Sequence, residues 1–191
     1  MKAIGVKYLH FFYAMSAILW ACVVVRGLLL LPLVGLRFFP GGVADFYLSI
    51  AIGNIVIENI NHVIFCRKLN YILVLELIGR LFIGLGVILN YPTIAKNAAF
   101  PTLVLSQGII ELFRYSYTSY KLKFRIPKSF NYLYLAVILV GYSVKTLSEM
   151  VLMFLSLGYA DDRFGTFIKI VLLVYIPSAY MFFKHSYARR G

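Results

Sequence analysis

Apolar residues run through this chain in blocks of membrane-spanning length, broken by short polar or glycine- and proline-bearing stretches. A helix needs about 20 apolar residues to cross the hydrocarbon core of a bilayer. The blocks cover 8–31, 44–65, 71–89, 98–117, 130–157 and 164–183, so the pattern predicts a bundle of six transmembrane helices in one membrane domain, 1–191. Breaks fall at Pro40-Gly41-Gly42, Arg67-Lys68-Leu69-Asn70, Asn90-Tyr91-Pro92, 121–128 and 158–163. The runs are continuous rather than alternating, which argues against a transmembrane barrel and for an all-α fold class. The third block is the shortest and the fifth the longest, so tilt differs among them.

Composition agrees with the pattern. Hydrophobic residues make up 62% of the 191 and charged residues only 14%, too few to cover a soluble domain of this size. No long polar tract marks a second domain. Cys22 and Cys66 lie in or beside apolar blocks, which argues against a disulfide framework. The start, MKAIGVKYLHFF, leads straight into a spanning-length block and lacks the form of a cleaved signal.

Charge orients the expected bundle. Lys2 and Lys7, Arg67 and Lys68, the set Lys121, Lys123, Arg125 and Lys128, and Lys184, Arg189 and Arg190 all fall on one side. The other side holds Arg37, Lys96 and Arg163, the last beside Asp161 and Asp162. The positive-inside rule then puts both termini in the cytosol, or in the matrix for a mitochondrial membrane. The net charge of +12 reads as topology plus attraction to anionic headgroups, not as nucleic-acid binding. A sharper reading has Lys121, Lys123, Arg125 and Lys128 holding an anionic ligand head such as a nucleotide phosphate. No glycine-rich phosphate loop accompanies them.

Polar residues inside the apolar blocks carry the candidate chemistry. Glu76 and Arg80, Glu111 and Arg114, and Lys145 and Glu149 are spaced to pair on their own helix faces. Glu58 has no basic partner on its helix, only His62 one turn away among Asn54, Asn59 and Asn61. These groups read either as polar contacts between helices or as the lining of one pocket. Tyr142 and Glu149 stand two turns apart on one face, about 10.5 Å along the axis at ~1.5 Å per residue. A phenol and a carboxylate on one pocket wall can move protons to and from a lipid-like substrate. Lys145 lies between them on that face. His10, His62 and His185 sit on different segments without metal-ligand spacing, and neither HExxH nor GxSxG occurs.

In order along the chain, these motifs resemble the very-long-chain 3-hydroxyacyl-CoA dehydratases, also called protein-tyrosine-phosphatase-like membrane proteins. Tyr8-Leu9 with Ser16 and Trp20 matches the first segment, and Glu58 followed by His62 is similar to Leu-Glu-x-x-His in the second. Arg80 ends the third segment's polar pair as in Gln-x-x-x-Arg. Glu111-Leu112-Phe113-Arg114-Tyr115-Ser116-Tyr117 looks like Glu-Ile-Ile-Arg-Tyr-x-Phe, and Tyr142 and Glu149 have the spacing of the catalytic pair. The chain departs from the family at Ser143 for proline, Lys145 for glycine, Tyr134 for arginine, Gln107 for tryptophan and Glu76 for glutamine.

The resemblance implies dehydration of a long-chain 3-hydroxyacyl-CoA to the trans-2-enoyl-CoA in fatty-acid elongation. Tyr142 and Glu149 would be catalytic, without metal or other cofactor. The basic set 121–128 would hold the CoA phosphates, and Glu111, Arg114 and Tyr115 would be further candidates for substrate binding. The expected partners are a long-chain acyl-CoA or membrane lipid and other membrane subunits, and the expected location is the endoplasmic reticulum. The departures around Tyr142 support an alternative: a descendant that has lost catalysis and serves as a structural subunit of a large membrane complex. The mitochondrial inner membrane, with respiratory or ATP synthase assemblies, is then the expected setting.

Overall fold

The computed structural model describes residues 3–67 and 70–188, and among them the protein is helical throughout, with no strand. Lys2, Lys68, Arg189 and Arg190 lie outside the described residues, as do the side chains of Cys66, Lys184 and His185. Helix α1 (Ala3–Cys66) is followed by α2 (Tyr71–Leu81), which widens into a π-helix (Phe82–Leu89). A 3-10 turn (Ile94–Lys96) leads to α3 (Ala99–Lys123), α4 (Lys128–Ser156) and α5 (Asp162–Ala188). Among the described residues, three helical stretches are long and apolar enough to cross a membrane: Gly5–Phe65, Tyr71–Leu89 and Lys128–Ser156.

The first of these, at 61 residues, would span roughly three bilayer cores if straight. It is not straight. Gly35 has φ 68° and ψ 174°, a backbone conformation essentially reserved for glycine, and there α1 doubles back into two arms, 3–34 and 36–66. Contacts between the arms run in antiparallel register. Tyr8 Oη donates to Asn61 Oδ1 (3.1 Å) and Ser16 Oγ to Asn54 Oδ1 (3.4 Å). Trp20 meets Tyr47 edge-on at 6.2 Å, and the Arg26 guanidinium lies 5.1 Å from the Phe46 ring centre. The break expected at Pro40-Gly41-Gly42 is therefore displaced to Gly35, and those three residues are helical. Pro40 is the fifth residue of the second arm, so its missing N–H removes a single helical bond, that to the Leu36 carbonyl, near the arm's start.

Other expected boundaries shift by a turn. Helix α3 runs past 117 to Lys123, with Lys121 and Lys123 at its negative C-terminal end, and α5 opens on Asp162 at its positive end. Helix α3 packs against both arms of α1 and against α4, and α5 closes against α4 and the π-helix. Trp20, Val23, Phe39, Val43, Phe100, Leu103, Val104, Leu152, Met153 and Ile168 form the fully covered centre. Glycines set close approach at three interfaces. A methyl group on Gly108 would meet Val24 Cγ2 at 2.7 Å, on Gly141 Ile110 Cγ1 at 2.6 Å, and on Gly84 Leu48 Cδ2 at 2.6 Å. Phe11, Leu33, Leu139, Val140 and Leu173 are exposed on the outer surface, as suits a face against lipid.

Candidate active site

The acids and bases expected to pair within their own helices do so, and they also join across helices. Arg80 binds Glu76 at 2.6 Å on α2, contacts Glu111 on α3, and donates to the Ala51 carbonyl of α1 at 3.1 Å. Arg114 reaches Glu111 Oε2 at 2.8 Å through Nε and grips Glu58 with both terminal nitrogens, at 2.8 and 2.7 Å. Tyr115 donates a further 2.8 Å bond to Glu58 Oε2. The result is an alternating chain, Glu76–Arg80–Glu111–Arg114–Glu58, that ties α1, α2 and α3 together inside the bundle. Each charge faces an opposite one, which is the condition under which ions are tolerated at membrane depth. Glu58, left without a basic partner on its own helix, finds it in Arg114.

Beside this chain of ions, α2, the π-helix, α4 and α5 enclose a cavity of about 320 Å³. Tyr142, Lys145, Thr146 and Glu149 line it from α4, Glu76 and Arg80 from α2, and Tyr175 from α5. The rest of its wall is apolar. Leu75, Ile78, Phe167, Ile170 and Val174 line it and are also exposed on the outer surface, so the cavity opens sideways between α2 and α5. Phe82 and Ile83 come from the π-helix, whose wider turn sets this wall.

Glu149 is held at both oxygens. Lys145 Nζ lies 3.8 Å from Oε1, and Tyr175 donates its hydroxyl to Oε2. Lys145 Nζ also lies 5.5 Å from the Tyr142 ring centre, so the lysine is the common neighbour of the phenol and the carboxylate. Tyr142 lines the cavity, and its hydroxyl makes no hydrogen bond to protein among the described residues.

The remaining candidates sit elsewhere. Lys121, Lys123, Arg125 and Lys128 are exposed at the α3–α4 turn and do not line the cavity. Lys128 precedes Tyr142 on α4 by about 21 Å of helix. Glu111, Arg114 and Tyr115 belong to the chain of ions behind the cavity wall. Tyr175 was not singled out from the sequence, where nothing distinguishes it among 15 tyrosines.

A family model described as protein tyrosine phosphatase-like protein, PTPLA, matches residues 56–191. The chain belongs to the PTPLA family. This is the family of the 3-hydroxyacyl-CoA dehydratases. The matched region of this PTPLA protein begins near the end of the second arm of α1 and takes in every residue that lines the cavity. With its apolar helices, membership makes the chain a dehydratase-like integral membrane protein. Neither the curated proteins nor the solved structures provide a match.

Proposed function

We propose that this protein is an active 3-hydroxyacyl-CoA dehydratase of fatty-acid elongation, acting on a long-chain substrate drawn from the membrane. One observation carries the reading: Tyr142 and Glu149 line the same apolar cavity despite their two-turn separation. The Glu149 carboxylate removes the proton alpha to the thioester, and the Tyr142 hydroxyl protonates the departing 3-hydroxyl. The products are the trans-2-enoyl-CoA and water. Lys145, within the cavity, faces the negative charge that develops on the thioester oxygen. The acyl chain enters through the sideways opening between α2 and α5. Its CoA phosphates rest on Lys121, Lys123, Arg125 and Lys128, and an extended pantetheine arm covers the intervening length of α4. In this reading the chain crosses the endoplasmic reticulum membrane six times, with both termini cytosolic.

A second reading is favoured by the grip on Glu149. Lys145 and Tyr175 occupy both of its oxygens, as in a structural contact that no longer turns over substrate. The protein is then a subunit of a large membrane complex, such as a mitochondrial respiratory or ATP synthase assembly. Purification separates the two. Turnover of a long-chain 3-hydroxyacyl-CoA by the isolated, folded chain supports the enzyme. Absence of turnover together with stoichiometric membrane subunits supports the scaffold.

A further inference from the structure

Next to the large cavity, and sharing Arg80, Ile83 and Glu149 with it, lies a second, small space of about 10 Å³. Tyr47, Arg80, Gln107 and Glu149 bring polar atoms to its wall, and Leu48, Ala51, Ile83, Gly84 and Ile88 close it. Two of these polar residues carry buried N–H groups without an acceptor, Arg80 at Nε and Gln107 at Nε2. An unmade hydrogen bond on a buried donor costs roughly 1–3 kcal/mol, and both orphaned donors belong to residues that line this one small space, which favours an acceptor inside it. The other two polar residues have spare accepting capacity. Tyr47 Oη spends its proton on Gln107 Oε1 at 2.6 Å and keeps its lone pairs. A carboxylate has roughly four lone-pair sites, and Glu149 uses only those facing Lys145 and Tyr175.

We propose that this space holds one ordered water molecule. It accepts from Arg80 Nε and Gln107 Nε2 and donates to Glu149 and to Tyr47 Oη. The volume is about the minimum that takes a single water, and four polar partners are the most a buried water uses. No other small acceptor fits, because an anion would face the Glu149 carboxylate. The water gives Glu149 a third polar partner besides Lys145 and Tyr175. Through Arg80 it connects that carboxylate to Glu111, Arg114 and Glu58. The proposal does not depend on dehydratase activity.

X-ray hydroxyl-radical footprinting of the full-length protein in nanodiscs tests it, because radicals formed from a bound water label the side chains touching it. Tyr47 is only 4% exposed and should escape bulk labelling. With the water in place, Tyr47 is oxidised in the folded wild type at a rate comparable to exposed Tyr71 and Tyr132. Gln107→Leu fills the space with an apolar chain and should lower Tyr47 labelling several-fold, leaving Tyr71 and Tyr132 unchanged. Tyr47 unlabelled in the folded wild type overturns the proposal, as does labelling unaffected in a folded Gln107→Leu protein. If that variant does not fold, an experimental density map of the wild type decides. A peak within hydrogen-bonding distance of Arg80 Nε and Gln107 Nε2 supports the water, and featureless density there overturns it.

Discussion

Replacing Arg114 by methionine should be among the most damaging single changes in the bundle. Arg114 contacts two carboxylates, Glu58 with both terminal nitrogens and Glu111 through Nε and Nη2, at 2.7 to 2.8 Å. Its side chain is 17% exposed and that of Glu58 11%, so solvent does little to screen the loss. Methionine preserves most of the volume, which confines the perturbation to charge. Among the described residues, Glu58 then keeps only the Tyr115 hydroxyl and Glu111 only Arg80. Single hydrogen bonds between membrane helices average below about 1 kcal/mol, whereas stripping a buried ion of its counterion costs about 3–5 kcal/mol. The second magnitude applies, because a carboxylate is left behind. At about 2–4 °C per kcal/mol for a chain of this length, thermal unfolding in detergent should fall by roughly 6–20 °C. Glu58→Gln combined with Arg114→Met neutralises the stranded acid and should recover about 1–3 kcal/mol of the loss. A single variant within about 1 kcal/mol of wild type, or a double variant no more stable than the single, would refute the account of the ion chain.

Other consequences are equally open to measurement. Gly35→Ala has open space around it but φ 68°, so it should cost about 1–3 kcal/mol in thermal unfolding, and a neutral outcome would remove the reversal from that residue. Gly108→Ala must push Val24 and should lose about 1–3 kcal/mol, whereas Gly53→Ala, with no neighbour within 4 Å, should be neutral or gain up to about 1 kcal/mol. Tyr175→Phe frees one oxygen of Glu149 and should lower kcat roughly 10- to 100-fold with little change in KM, while an unchanged kcat would make that contact structural only. Six spans require single cysteines at Asp161 and Lys123 to react with an impermeant maleimide from opposite faces of the membrane, and reaction from the same face would contradict that topology.

Much of the helical order was legible because a lipid-length apolar block leaves few alternatives to a helix, and turn residues bound it. The misplaced reversal shows where this fails. Pro40-Gly41-Gly42 is the more conspicuous breaker in the sequence, but a helix tolerates all three near its start, and the single glycine at 35 takes the positive φ. The π-helix at Phe82–Leu89 had no composition to announce it. At the site, the face bearing Tyr142, Lys145 and Glu149 follows from helical spacing alone, and so do the pairs Glu76–Arg80 and Glu111–Arg114. Links such as Arg80–Glu111, Arg114–Glu58 and Tyr175–Glu149 depend on the register between helices, which periodicity within each helix does not encode. The placement of Gln107 and Tyr47 around the same small space as Glu149 was hidden for the same reason.

The central claim, that Tyr142 and Glu149 act together on a substrate in the cavity, is tested most directly by dehydration of a long-chain 3-hydroxyacyl-CoA in nanodiscs. Wild type, Tyr142→Phe and Glu149→Gln are compared in one preparation, with thermal unfolding recorded for each. Loss of a positioned acid or base removes about 10²- to 10⁴-fold in rate, so wild type should form the trans-2-enoyl-CoA and each folded variant should fall by at least the lower figure. A folded wild type without turnover, or turnover that survives in either variant, would contradict the claim.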